Sequence, residues 1–599
     1  MNLPTPLTSL TLWLLAIVLC GFAGCSQPAQ PKSVKVAKQD GPKGEQTKEP
    51  EQPAEEEPQE VAEPEVTEPP SLFSRQHLLY VDIKIAEKAW AALCGQTRTM
   101  ASALSLEQQT KPFSYFRADV TVNGTAFKSV AIRKKGFIGS LDEERPSLKI
   151  KFNHFKSKEK RTFEGVDRLT LNNNKQDRSL ASQYLAYDLF RKAGLPAPRC
   201  NLAVVSVNGK KLGIYSNVES VKADFQKKNF GPSRGAIYEG TLADFFHDRI
   251  HRFEAKTNKT WAKEIGIKKL HKLAETLDPS KELSLSAIEK LVDVPKFLTY
   301  WSLESLIGFW DGYSGNQNNF FVYFSDKNPK IQFVPWGIDA AFTNRRFGRQ
   351  RNNYKSVFAK GLLANRLNTV EEIREQYHEA MEWIFGTIWD EKTLLKDTDR
   401  IEWLVKDDLH PRQERFLESL NRVRTFIKNR RDEIWAEVEE GPIFVNGAVQ
   451  YPAHTVAVGT IKGTFQTKWR GNRWEPIPQS GRNTATGLHH DKKFSLRQLT
   501  AIAHTGRARR WNRGAQNPTI VFRGTRSDNG RQVTLTLVIP SPSFHSGRTV
   551  KVHGRFGGEN NRFWGSGMVD GKITLNQVSR EGGGPVAGKF EVRVFEMRR

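Results

Sequence analysis

The sequence predicts an α+β region over residues 72–440 followed by an all-β sandwich or barrel over 441–599. Three observations carry this. Strand-like alternation and Asn-Gly turns mark residues 78–219, and helical periodicity dominates from about Leu283 to Glu439. Beyond Gly441 the chain breaks into short Val/Thr/Phe-rich runs separated by Gly, Asn and Pro. With 14 Trp and 36 Phe in 599 residues, the chain has the side chains for sizeable cores, which excludes a wholly disordered or collagen-like polymer. Four Cys exclude a disulfide scaffold.

Residues 1–25 read as a signal peptide. Leu7 to Ala23 is almost entirely apolar and ends at Ala23-Gly24-Cys25. The run is short for a bilayer span of about 20 residues and suits a signal-peptide core. Ala-Gly-Cys resembles the bacterial lipobox, which makes Cys25 the lipidation site. Phe22 in the usual Leu position and the lack of Lys or Arg before the run are departures, and an uncleaved N-terminal anchor is the alternative. Both place the protein in the bacterial cell envelope or outside the cell, and the lipobox adds a membrane-anchoring lipid. Residues 26–71 form a Pro/Glu/Lys-rich tether. Ser26 to Pro70 carries 5 Lys against 11 Asp/Glu and has no apolar anchors, so it is expected to be disordered.

The folded elements follow in order. Residues 78–84 read as a strand, and residues 115–133 as a hairpin turning at Asn123-Gly124. From Pro146 to Phe152, Leu148, Ile150 and Phe152 share one face and Lys149 and Lys151 the other. Asp177 is expected to cap a helix through about Lys192, with Leu180, Tyr184, Leu185, Leu189 and Phe190 as its buried stripe. Gly194 stops it and Pro196 forbids continuation. A second hairpin turns at Asn208-Gly209 and runs to Glu219. One β-like insert at 319–336 interrupts the later helices.

The net charge of +25 points to an anionic partner or surface. Residues 441–599 hold 25 Lys/Arg against 8 Asp/Glu, so +17 of it sits there. In an exported chain that favours anionic lipid head groups or an acidic cell-envelope polymer, and no nucleic acid is expected. Trp469-Arg470, Arg473-Trp474 and Arg509-Arg510-Trp511-Asn512-Arg513 interleave rings with charge in a way that suits phosphate or uronate chains. A solvated basic face explains the same residues equally well. Cys94 and Cys200 remain as two thiols or one bridge. His489-His490-Asp491 carries ligand-type side chains without a spaced partner and reads as a solvated loop.

No P-loop, H-E-x-x-H, G-x-S-x-G or C-x-x-C motif occurs. One constellation does carry chemistry. Asp311 stands on a polar loop ending in Asn318-Asn319, a Phe-rich strand follows, and after a return strand comes Asp339. Kinase-type phosphotransferases use this order. There an Asp takes the acceptor hydroxyl proton, an Asn at the strand start holds a divalent metal, and a second Asp bridges that metal to phosphate. Eight residues separate Asp311 from Asn319; Asn316, five residues on, does not abut the strand. The bland alternative is a polar turn whose Asn side chains satisfy backbone groups.

About residues 76–438 resemble the CotH kinase family. The carriers are Ile132-Arg133-Lys134-Lys135-Gly136, Pro146 to Phe152, Leu171 to Asn174, Asp177, and Gly194 to Arg199. Val207-Asn208-Gly209, Gly213-Ile214-Tyr215, Glu219, the Asp311–Asn319 loop, Trp336 to Phe342 and Phe426 to Arg430 complete them. The resemblance implies an atypical protein-kinase-like fold that binds ATP with Mg²⁺ and phosphorylates Ser/Thr of a protein substrate. It implies Lys151 as the phosphate-binding lysine, Lys149 as second choice, and Arg133 and Lys135 beside the phosphates. Glu219 would pair with a lysine, Asp311 would be the catalytic base, and Asn318, Asn319 and Asp339 would hold the metal. Position 337 is Gly where the family commonly has Asp. Two further readings stay open: a non-catalytic, pseudokinase-like envelope-binding protein, and a kinase acting on a polysaccharide or small polyol.

Overall fold

The computed structural model describes residues 71–107, 112–155, 159–344, 354–471, 483–506, 517–558 and 567–598. The leader with Cys25, the tether, Arg473-Trp474 and Arg509 to Arg513 lie outside the described residues. Seven strands come first: β1 (Leu79–Lys84), β2 (Phe116–Val122), β3 (Thr125–Lys135), β4 (Ser147–Lys151), β5 (Arg168–Asn172), β6 (Cys200–Val207) and β7 (Lys210–Val218). They close into a barrel in the order β1-β2-β3-β4-β5-β7-β6, with β6 parallel to β1. Both Asn-Gly hairpins form as read, with φ of 43° and 82° at Asn123-Gly124 and 49° and 78° at Asn208-Gly209. Such a two-residue turn needs positive φ twice, which Asn and Gly tolerate. Leu148, Ile150 and Phe152 are fully buried, leaving Lys149 and Lys151 on the other face of β4.

The helix expected from Asp177 starts at Ser182. Leu180 has φ of 61°, which breaks the helical path. Asp177 still caps the helix from a distance, since its carboxylate accepts from the Ser182 amide at 2.8 Å and from the Ser179 amide at 3.1 Å. The expected stripe is buried throughout.

A second sheet of β8 (Gly235–Gly240), β9 (Glu254–Ala255), β10 (Phe320–Ser325) and β11 (Gln332–Pro335) runs β11-β10-β8-β9. Helices Val294–Leu306, Glu371–Thr387, Glu391–Val405 and Phe416–Val438 pack beside it over one large apolar core. Arg430 is buried there and donates to the carbonyls of Leu306, Ser305 and Lys355.

Eight antiparallel strands, β12 (His454–Arg470), β13 (Thr484–His489), β14 (Lys492–Thr505), β15 (Pro518–Arg526), β16 (Gln532–Val538), β17 (Arg548–Gly557), β18 (Met568–Gln577) and β19 (Pro585–Arg598), close a second barrel. Of sandwich and barrel, the chain forms the barrel. Trp469 is 4% exposed and packs inside it against Phe544 at 5.5 Å. Because strand side chains alternate, it is a core residue and not a stacking platform for a polymer.

Between the last helix and β12, residues 443–451 run as an extended strap. The amide of Val445 donates to Asn368 Oδ1 at 2.7 Å, and the Asn365 side chain donates to the Gly447 carbonyl at 3.2 Å. Gln317 Nε2 donates to the Gln450 carbonyl at 2.6 Å, and Tyr451 stacks on Phe246 at 3.9 Å. Thr455 Oγ1 then donates to the Ala101 carbonyl at 2.8 Å. Cys94 and Cys200 are buried free thiols. Among the described residues, no helix is long and apolar enough to cross a membrane.

Candidate functional site

The polar loop before β10 carries most of the candidate chemistry, and two buried carboxylates hold it from behind. Glu304, fully buried, accepts from the amides of Tyr313 (2.9 Å) and Ser314 (2.8 Å), the Ser314 hydroxyl (2.6 Å) and the Tyr300 hydroxyl (2.8 Å). Gly312 is obligatory here, since a Cβ would run into the Glu304 carboxylate. Asp244 accepts from the Tyr313 hydroxyl (3.0 Å), Gln317 Nε2 (2.7 Å) and the Leu362 amide (2.7 Å). Burial raises both carboxyls, Glu304 to about 7 and Asp244 to about 6, against the pull of these donors.

The loop is not the solvent-facing turn its polarity suggests. Asp311 is half-buried, and its carboxylate accepts from the side-chain amides of Asn316 (2.7 Å), Asn318 (3.2 Å) and Asn319 (2.9 Å). Burial raises its pKa while the three amides oppose the rise. Asn318 is used at both ends, because its Oδ1 accepts from the Leu242 amide at 3.1 Å. Its oxygen is therefore already engaged by one backbone donor. Asn319 differs. Its Nδ2 is spent on Asp311, but its Oδ1 has no donor among the described residues and faces Gly337.

Antiparallel pairing of β10 with β11 sets Phe320 against Pro335, and the Trp336 amide donates to the Asn319 carbonyl at 3.2 Å. The return strand thus delivers Asp339 beside the loop. The Asp339 carboxylate accepts no hydrogen bond from another described residue, and its pKa is pushed up to about 7 by burial and by the charges of Asp311 and Asp177, against Lys135. Asp339 and Asn319, at the two ends of one hairpin, each offer an oxygen without a donor among the other described residues, the ligand type Mg²⁺ takes. Asp339 and Asn319 fit that ion.

Cations from the first barrel face these oxygens. Lys135, at the end of β3, donates to Asn172 Oδ1 and lies 5.7 Å from the Trp336 ring centroid. Burial lowers its pKa to about 8, with Asp339 and Glu239 opposing. Lys149 pairs with Arg133 across β3 and β4. Burial, then Lys222, Lys135, Arg133 and Arg168, push its pKa well below the ordinary range. Lys151 stands one step away, 5.2 Å from the Tyr115 ring centroid, which Arg133 also approaches at 5.3 Å. Thus Lys135 and Lys149, rather than Lys151, lie in the charge cluster around Asp339 and Glu239.

The acidic partner of that cluster is Glu239 of β8. Burial would raise its pKa, but Lys256, Lys222 and Lys149 hold it below the usual range, and it forms an ion pair with Lys256. The expected acid, Glu219, forms its ion pairs with Arg199 at 2.7 Å and Lys228 at 3.9 Å. Lys222 completes the cluster, lowered to about 8 by burial and then Lys256. Glu239 and Lys222 escape a reading of the sequence because neither sits in a motif; Tyr238-Glu239-Gly240 reads only as strand and stop. Chemically this cluster offers excess buried positive charge for phosphate groups, two oxygens for a divalent ion and a carboxylate for a proton.

Comparisons with known proteins fit this geometry. A family model described as CotH kinase protein matches residues 132–434, about half of the chain, from β3 through most of the last long helix. The chain is 26% identical over 299 residues to "Inner spore coat protein H" of Bacillus subtilis (strain 168), covering 47% of this chain and 82% of that protein. It is 26% identical over 253 residues to "Spore coat protein homolog 1" of Rhizopus delemar and 23% identical over 288 residues to "Invasin CotH2" of the same organism. Those alignments cover 39% and 43% of this chain but only 41% and 48% of the fungal proteins. The second barrel lies outside the family match.

Proposed function

Because this chain belongs to the CotH kinase family, we propose that it is an exported phosphotransferase that uses ATP and Mg²⁺ to phosphorylate Ser/Thr hydroxyls of envelope or secreted proteins. The observation that carries this reading is the pairing of two donor-free oxygens, on Asp339 and Asn319, with the buried cations of β3 and β4. Lys135, Lys149, Arg133 and Lys222 bind the triphosphate, and Glu239 keeps the lysines oriented. Asp339 and Asn319 would hold Mg²⁺, which would supply charge neutralisation for the phosphate oxygens.

Asp311 takes the proton of the acceptor hydroxyl as its oxygen bonds to the γ-phosphorus, and the bond to ADP breaks. Its pKa, raised by burial, suits a base that must accept a proton in the transition state. With Gly at 337 the metal side has one carboxylate fewer than the family's common pattern, and the Asn319 oxygen lies beside that position. The spore-coat names of the relatives support an outer, envelope-associated location, and the Ala23-Gly24-Cys25 sequence supports a lipid anchor at Cys25. The +17 of residues 441–599 supports an acidic envelope polymer as the second barrel's partner.

Calorimetry of the full chain with ATP, with and without Mg²⁺, tests the site, and mass spectrometry of envelope proteins after co-expression tests the acceptor. Mg²⁺-dependent ATP binding with new phospho-Ser/Thr is the expected result. Absence of Mg·ATP binding sinks the kinase reading and leaves the fold as a scaffold.

A further inference from the structure

Fold closure gives the His489-His490 pair the partner that its own stretch of sequence lacks. His489 ends β13, and His490 with Asp491 makes the two-residue turn into β14, both at positive φ. Glu596 lies 106 residues further on, near the end of β19. Strand β12 joins them. Gly459 pairs with His489 on one side and Val594 on the other, Val456 pairs with Glu596, and the His490 amide donates to the Val458 carbonyl at 2.8 Å. The turn therefore folds across the start of β12 onto β19.

His490 Nε2 comes within 3.1 Å of Glu596 Oε1, and the two imidazoles meet edge to face at 4.4 Å. One ligand atom from each of the three residues lies within 4.8 Å of the others. Ligands at about 2.0–2.2 Å from a shared Zn²⁺ sit a little over 3 Å apart, so small rotamer changes suffice to bring these three onto one ion. The geometry points to a divalent transition-metal site, of the kind that takes Zn²⁺, formed by His489, His490 and Glu596 on the surface of the second barrel.

Ligand chemistry agrees. Two imidazoles and one carboxylate are borderline donors that select Zn²⁺ over Mg²⁺ or Ca²⁺, and three protein ligands leave a fourth tetrahedral position to water. Arg526 is the competing cation. Asp528 binds it through two contacts, at 2.9 and 2.6 Å, while its third nitrogen touches His489 Nδ1 at 3.1 Å. Because the guanidinium is planar and rigid, metal capture at His489 requires Arg526 and Asp528 to shift together as one pair, or the His489 ring to turn away from Arg526. Bound metal would tie the β13–β14 turn to the last strand and fasten the barrel where β12 begins.

The test uses the untagged full chain, stripped with chelator and titrated with Zn²⁺ against a chromophoric competitor. One Zn²⁺ per chain lost in the variants, a rise in melting temperature, and a visible d–d band of four- or five-coordinate Co²⁺ are expected. His489→Ala, His490→Ala and the isosteric Glu596→Gln should each weaken Zn²⁺ binding by about tenfold or more. Asp339→Asn should leave it intact, which separates this site from the proposed phosphotransfer site. Absence of stoichiometric Zn²⁺ binding, or binding that survives His489→Ala with His490→Ala, overturns the assignment.

Discussion

The side-chain oxygen of Asn319 lies 2.8 Å from the point where a Cβ on Gly337 would stand. Both residues hold positive φ, 52° and 56°. The two positions therefore share one space, which Asn319 fills. Gly337→Ala should cost about 1–2 kcal/mol from left-handed strain alone, read as a lowered melting temperature. Gly337→Asp, which restores the family's common residue, should weaken Mg²⁺-dependent ATP binding by displacing Asn319. Tighter binding in that variant would show that the space is free.

Asp311→Asn and Asp339→Asn should fail differently. Asp311 accepts three side-chain amides, so an amide in its place turns a donor toward donors. That substitution should lower stability by about 1–3 kcal/mol as well as abolish turnover. Asp339 has no such donors, so its variant should stay folded while losing Mg²⁺-dependent ATP affinity. Denaturant melts and calorimetry on both proteins decide it; unchanged Mg·ATP affinity in the Asp339 variant removes the metal assignment.

Asp339 also sets a pH signature. Its folded pKa of about 7 lies above the ordinary value of about 4. Between those values the folded chain binds more protons than the unfolded one, so this group's contribution is present at low pH and is lost as pH rises toward 7. Asp339→Asn should therefore gain stability relative to the wild type between pH 5 and 7.5. The gain should be on the order of 1–2 kcal/mol, the carboxyl being only half-buried. A difference that stays constant with pH refutes the raised pKa.

Lys135 and Lys222 hold their protons only below about pH 8. Triphosphate affinity should be full below that pH and fall above it. Lys135→Met should lose at least about tenfold in ATP affinity, about 1.4 kcal/mol, at pH 7 and show a flatter pH dependence. An ATP titration series from pH 6.5 to 9.5 reads both effects, and an unchanged affinity for the variant at pH 7 excludes Lys135 from the phosphate site.

Among the described residues, Leu72 and Arg75 already belong to the packed structure. Leu72 is 1% exposed, its amide donates to Glu164, and Arg75 pairs with Asp188 at 2.7 Å and Asp397 at 2.8 Å. A chain starting at Ser71 should melt like the full protein. One starting at Gln76 should lose about 2 kcal/mol or more, chiefly through the missing Leu side chain, since Asp188 keeps Arg191 and Lys192 and Asp397 keeps Arg400 when Arg75 is gone. Equal melting temperatures would mean that the segment is dispensable.

How legible each part was follows from the range of the forces that build it. Asn123-Gly124, Asn208-Gly209 and the Leu148/Ile150/Phe152 alternation were readable because turn chemistry and strand period act over a few residues. The Asp311–Asn319–Asp339 order was readable because a hairpin joins its ends. The start of the helix at Ser182 was not, because Leu180 adopts positive φ against its own preference. Glu239 was out of reach for another reason. It meets Lys149 only once the second sheet packs on the first barrel, and Glu219, nearer the β4 lysines in sequence, pairs with Arg199 and Lys228. The burial of the loop by Glu304 and Asp244 is likewise invisible in a run of Gly, Ser and Asn that looks like exposed turn.

The strap at residues 443–451 changes where the protein can be cut and rejoined. Composition shifts at Gly441, yet the backbone of Ile443 to Gln450 holds Asn365, Asn368 and Gln317, and the last of these sits in the loop with Asp311. The transplantable module therefore begins after Tyr451, at the first residues of β12. A lineage or an engineer exchanging the terminal barrel for another cargo would have to leave those nine residues with the older partner.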